Sequence, residues 1–174
     1  MLQKYNRYKL LKIFLDSPTE SFRWGELSKI SEIAPLSVKN YLKEFEKDSL
    51  IKRYEKRSIK FYQANRDNEN FKLFKKISIL YELNVSGLVD FLWHELSPEA
   101  IVLYGSHAKG EAVEDSDIDI FIIGKEEKVD LSEYHIKLNK EIHLMIEEDK
   151  TKMSKEFKNN LINGIILKGY LKLF

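Results

Sequence analysis

The sequence has no cysteine. That excludes a disulfide framework and any thiolate-ligated metal within these 174 residues. No apolar run approaches the ~18 residues that a membrane-spanning helix requires. Charged residues punctuate residues 1–12, which predicts no secretory leader, and the cytoplasm is the expected compartment. Gly/Ser-rich linkers, internal repeats and low-complexity stretches are also missing, so nothing marks a long flexible tether. Net charge is nearly absent, at +1, but the balance hides an asymmetry. Residues 1–76 hold 18 Lys and Arg against 10 Asp and Glu, whereas residues 77–174 hold 11 against 18. A basic part followed by an acidic part implies different partners for the two.

In the basic part, residues 4–15 read as a helix with Leu10, Leu11, Phe14 and Leu15 on its apolar side, ended by Ser17-Pro18. Phe22, Arg23 and Trp24 read as a short strand. Glu26 to Ser31 reads as a second helix with Leu27 and Ile30 inward. Pro35 suits the first turn of a third helix running to about Lys47. Within it Val38, Leu42 and Phe45 recur at buried-stripe spacing, which leaves Ser37, Lys39, Asn40 and Lys43 facing out. Two strands follow, residues 50–54 and 59–62, and five of the ten residues from Ile51 to Lys60 are Lys or Arg. This order resembles a winged helix-turn-helix domain, with Tyr62 to Asn65 closing the wing. The resemblance implies double-stranded DNA as a partner. Its contacts would come from Ser37, Lys39, Asn40 and Lys43 on the third helix, and from Lys52, Arg53, Lys56, Arg57 and Lys60 on the wing.

Residues 70–83 and 85–96 then read as two helices, the first lined by Phe71, Phe74, Ile77 and Tyr81, the second by Leu88, Phe91 and Leu92. Pro98 precedes the segment that carries the chemistry, residues 101–123, IVLYGSHAKGEAVEDSDIDIFII. An apolar strand breaks at Gly105-Ser106. Ten residues later a second strand bears Asp117 and Asp119, whose two-residue spacing sends both carboxylates to one face while Ile118 and Ile120 enter a core. Paired acids on a strand suit a hard cation such as Mg²⁺. A glycine break that opens a helix supplies backbone N–H groups to phosphate. The pattern Gly-Ser, ten residues, Asp-x-Asp resembles the minimal nucleotidyltransferases of the DNA polymerase beta superfamily. Lys109-Gly110 and Ser116 fit the same signature. The resemblance implies transfer of a nucleotidyl group, AMP from ATP or its counterpart from another nucleoside triphosphate, to an acceptor hydroxyl. Gly105, Ser106, Lys109 and Ser116 would bind the nucleotide, and Asp117 and Asp119 would hold two Mg²⁺ ions.

A third strand at residues 142–146 places Ile142, Leu144 and Ile146 on one face, and Glu141, His143 and Met145 on the other. The family takes a third carboxylate from this strand. Here His143 stands at the matching position, with Glu141 two residues away, so the acceptor's proton falls to Glu141 or His143 or the site is degenerate. His94, His107 and His135 lack metal-site spacing, and His107 is expected to be exposed. Phe157, Leu161 and Ile165 mark a last helix, and residues 169–174 a closing strand.

The expected fold class is α+β. A winged helix-turn-helix would occupy residues 1–67 and connecting helices residues 68–96. A polymerase-beta-like nucleotidyltransferase with a small mixed sheet would occupy residues 97–174. Two further readings accompany transfer. One is a DNA-binding regulator whose transferase domain senses nucleotide or is degenerate. The other, from resemblance to antitoxins of the minimal nucleotidyltransferase type, pairs the chain with a HEPN-type protein. A homodimer is compatible with each.

Overall fold

The computed structural model describes residues 5–172, and the chain divides into two compact units between Lys75 and Lys76. In the first unit the order is α1 (Asn6–Asp16), β1 (Ser21–Phe22), α2 (Trp24–Ser31), α3 (Pro35–Lys47), β2 (Ile51–Lys56) and β3 (Ile59–Ala64). Helix α1 buries Leu10, Leu11, Phe14 and Leu15 on one side. Helix α3 begins at Pro35, whose fixed φ and missing N–H cost nothing in a first turn. It buries Val38, Leu42 and Phe45, each worth about 1.5–3 kcal/mol on the transfer scale.

Two expectations fail at α2. Arg23 and Trp24 are not strand, because Arg23 caps the helix. Its N–H donates to Glu26 Oε2 at 2.8 Å, so the Glu26 carboxylate reaches back to the residue before the first turn and the helix starts at Trp24. Ile30 does not point inward but is 57% exposed. The buried face runs through Leu27 and Ser31, one turn apart, and the Ser31 hydroxyl is satisfied by donating to the Leu27 carbonyl at 2.6 Å. Strands β1, β3 and β2 form an antiparallel sheet in that order. The β2–β3 hairpin turns on two residues, Arg57 and Ser58, both at positive φ.

Helix α4 (Glu69–Ser86) crosses the division, and Gly87, at φ +81, separates it from α5 (Leu88–Leu96). The break falls there rather than at Asn84 because glycine occupies the left-handed region without steric cost. Ile77, expected among the lining residues, is 44% exposed, and Ile79 and Leu83 are buried instead. The second unit continues with β4 (Ala100–Leu103), α6 (Gly105–Lys109), β5 (Ile118–Ile123), α7 (Ser132–Leu138), β6 (Ile142–Glu147), α8 (Lys155–Ile162) and β7 (Ile165–Gly169). The sheet order is β6-β5-β4-β7, with β5 and β6 parallel and β4 antiparallel to both its neighbours. It is the small mixed sheet expected of an α+β fold. Ile101, Leu103, Ile118, Ile120 and Ile122 pack on the side of α5, and Ala100, Val102, Phe121 and Ile123 pack with Leu161 of α8 on the other. Central strands buried on both faces explain the near-continuous apolar runs.

Ile165 is not helical. Helix α8 stops at Ile162, and Asn163-Gly164 turns the chain into β7 against β4. A Cβ at Gly164 would lie 2.7 Å from the Leu103 carbonyl oxygen, so the close approach there requires glycine. The expected closing strand at residues 169–174 is replaced by β7, which ends at Gly169; residues 173 and 174 lie outside the described residues.

Candidate functional site

Strand β4 delivers the chain to Gly105, which opens α6 at φ +70. A Cβ at this position would sit 2.1 Å from Asp119 Oδ2. The two residues therefore define one feature, an aspartate carboxylate lying against bare backbone. The loop between them is folded by its own hydrogen bonds. Glu111 N–H donates to the Ser106 carbonyl at 2.9 Å, Val113 N–H to Ser116 Oγ at 2.8 Å, and Ser116 N–H to the Val113 carbonyl at 3.1 Å. Ser116 Oγ thus serves the loop. His107 is buried, not exposed as expected, with Nε2 at 3.3 Å from the Ser116 carbonyl. A carbonyl only accepts, so the ring carries its proton on Nε2 and ties α6 to the residue before Asp117. Lys109, on the last turn of α6, is exposed.

Asp119 lies on β5 and is one-quarter exposed; Asp117 precedes the strand and is exposed. Tyr104, next to Gly105, packs edge-on against Phe157 of α8 at 5.6 Å. Burial raises its phenol pKa, and the nearby Asp119 charge raises it further. The sequence reading missed Tyr104, although its place directly before the Gly-Ser pair was a usable signal.

The parallel register sets Asp119 beside His143, with Oδ1 and Nδ1 3.5 Å apart. Glu141 goes elsewhere. Its Oε2 lies 3.2 Å from Nδ1 of His135 on α7, and its side chain is 80% exposed. Asp117, His135, Lys140 and Glu141 line a hollow of about 340 Å³ at the edge of the pair. Lys140 Nζ donates to the Glu114 carbonyl there at 3.0 Å. His135 and Lys140 carried no signal in the sequence, because α7 and its turn bring them in. Among the described residues no group of three or more His, Asp or Glu gathers as a metal cage.

In the first unit, Lys39, Asn40 and Lys43 are exposed on α3, while Ser37 is half-buried. Lys39 Nζ sits 4.0 Å from the centroid of the Trp24 ring. The wing cations do not share one face. Register puts Lys52 and Lys56 on one face of the hairpin and Arg53 and Lys60 on the other. Arg53 Nε lies 3.3 Å from Glu46 Oε1 of α3, and Lys60 stands opposite Glu55. Burial and the Glu46 charge raise the pKa of Tyr62 on that second face, with the Arg53 charge and then its hydrogen bond opposing them.

No helix among the described residues is long and apolar enough to cross a membrane. No curated protein and no solved structure matches the chain significantly. Residues 87–171 match the family model described as Polymerase beta, Nucleotidyltransferase, and that match supports a nucleotidyltransferase domain of the polymerase beta superfamily over this stretch of the chain.

Proposed function

We propose that the second unit transfers a nucleotidyl group from a nucleoside triphosphate, with ATP as the expected donor, to an acceptor hydroxyl. The observation that carries the reading is the fit of Gly105 to Asp119: a carboxylate held against a backbone site that no side chain can enter. The donor set suits Mg²⁺, which takes one or two carboxylates and completes its shell with substrate phosphate and water rather than a full protein cage. Asp117 and Asp119 would hold the ions. Bound there, Mg²⁺ would neutralise charge on the phosphates and on the departing pyrophosphate. Gly105 and Ser106 would offer backbone N–H groups to the β- and γ-phosphates, with Lys109 adding positive charge. Tyr104, braced by Phe157, would keep Asp119 in place. His143 would take the acceptor's proton on Nε2, the ring nitrogen turned from Asp119, in the role a carboxylate fills elsewhere in the family. Glu141, drawn to His135, would shape the rim of the acceptor hollow.

The first unit reads as a winged helix-turn-helix in which α2 and α3 form the helix pair and β2–β3 the wing. Lys39, Asn40 and Lys43 of α3 would meet duplex DNA, with Ser37 beneath them. A second reading is favoured by one observation, the imidazole of His143 where the family places an acid: a DNA-binding regulator, or an antitoxin of a HEPN-type partner, whose site binds nucleotide with little turnover. The deciding experiment incubates the full chain with α-labelled ATP, Mg²⁺ and a cell lysate. A labelled macromolecule or small molecule, lost in Asp117→Asn/Asp119→Asn, supports transfer. Mg²⁺-dependent ATP binding without labelling supports the regulator.

A further inference from the structure

The outer face of the β2–β3 hairpin carries three features that packing leaves unexplained. The first is a ring stack. Tyr54 and Phe61 are cross-strand partners with centroids 5.5 Å apart and planes 15° from parallel. Tyr54 is 43% exposed. The opposite face supplies Ile51, Tyr62 and Ala64 to the core, so the stack is turned away from it. The second is charge. Lys52 and Lys56 flank Tyr54 on the same face, and the acid of this segment, Glu55, is on the other. Lys52 has an exposed ion pair with Asp67 at 3.2 Å, while Lys56 extends the positive side toward the tip. The third is strain. Arg57 and Ser58 sit at φ +50 and +61, a two-residue turn that Asn-Gly fills without steric cost. An arginine occupies the tip despite that cost.

Aromatic rings flanked by cations are the chemistry of single-stranded nucleic acid: bases stack on rings and phosphates lie along lysines and arginines. A duplex hides its base faces within its own stack and has no use for exposed rings. An apolar protein partner would supply no anion to Lys56 and Arg57. We propose that this face binds single-stranded nucleic acid, with unpaired bases stacked on Tyr54 and Phe61 and phosphates along Lys52, Lys56 and Arg57. The proposal rests on the nucleic-acid reading of this unit and refines it; duplex contacts belong to α3, so the two can fail separately.

The test measures anisotropy of fluorescein-labelled oligothymidylate of about 15 nucleotides, and of a duplex of equal length, with the full chain at low salt. Tyr54→Leu with Phe61→Leu keeps apolar bulk and removes the rings. It should weaken oligothymidylate binding about tenfold or more, while Tyr54→Phe retains it. Lys39→Ala with Lys43→Ala should weaken the duplex alone. Lys56→Glu with Arg57→Glu, at exposed positions, should abolish single-strand binding even if the leucine pair fails to fold. Three results would overturn the proposal: no oligothymidylate binding by the unaltered chain, undiminished binding by a folded leucine pair, or undiminished binding by the glutamate pair. Loss of duplex binding in the lysine variant, with the single strand unaffected, would support the division of roles. Absence of duplex binding in the unaltered chain would instead remove the α3 reading and leave this one standing.

Discussion

Asp119 and His143 face each other across adjacent parallel strands, Oδ1 to Nδ1 at 3.5 Å, because the register pairs these two residues directly. The imidazole side chain is two-thirds exposed. For the proposed transfer, the contact supports His143 rather than Glu141 as the group that takes the acceptor's proton, a choice that alternation left open.

His143→Ala should therefore lower turnover about 100-fold, the scale for losing a general base, while leaving Mg-ATP binding intact. Glu141→Gln should have little effect. Turnover that survives His143→Ala but collapses in Glu141→Gln would reverse the assignment. Near-background turnover in the unaltered chain that rises in His143→Asp would identify a degenerate site restored by a carboxylate.

Asp117→Asn with Asp119→Asn should abolish Mg²⁺-dependent ATP binding by calorimetry and leave the far-UV circular dichroism unchanged. Asp117 is exposed and Asp119 is only partly covered, and neither belongs to the apolar clusters that hold the sheet, so the fold should survive loss of their charge. Equal affinity in the double variant would remove the pair from the metal site.

Gly105→Ala and Gly169→Ala separate function from fold. Both positions have positive φ, and a Cβ would lie 2.1 Å from Asp119 Oδ2 in one and 2.2 Å from the Glu99 carbonyl oxygen in the other. Each should cost on the order of 1–3 kcal/mol in denaturant unfolding. Gly105→Ala should also lose ATP binding, because Asp119 must move; Gly169→Ala should keep it. Intact ATP affinity in a folded Gly105→Ala variant would contradict the cradle.

The Lys168–Asp90 pair, Nζ to Oδ1 at 2.6 Å, links β7 to α5. Its hydrogen bond and charge hold Asp90 below the ordinary aspartate range. A carboxylate whose folded pKa is depressed stabilises above its unfolded value, and that contribution is lost as pH falls toward the depressed one. Asp90→Asn should flatten the acid limb of a thermal-midpoint profile below about pH 4. A limb unchanged by the substitution would show that other carboxylates carry it.

Duplex DNA affinity should fall with salt at a slope of about −0.9 in log-log form for each phosphate neutralised, and Lys39→Ala with Lys43→Ala should flatten it. A slope near zero would remove duplex DNA as a partner.

Much of this protein was legible in the sequence because its signals are local. Period-3.6 burial at Val38, Leu42 and Phe45 and a proline at the first turn fixed α3 at both ends. The apolar residues 118–123 marked β5 at both ends. Gly-Ser and Asp-x-Asp revealed a break and a pair of acids with no partner in view. Legibility failed where one local preference overrode another. The Arg23 N–H to Glu26 hydrogen bond turned expected strand into helix, and Asn163-Gly164 turned expected helix into strand.

What only the tertiary structure decided were relations between segments far apart in the chain. Strand register brought His143 to Asp119, and α7 drew Glu141 to His135. Packing buried His107 against the Ser116 carbonyl, and cross-strand register set Lys60 on the face of Arg53, which is tied to α3. Periodicity states which side chains share a face. It does not state which strand lies alongside, nor what stands opposite, because those follow from burying the central strands on both sides at once.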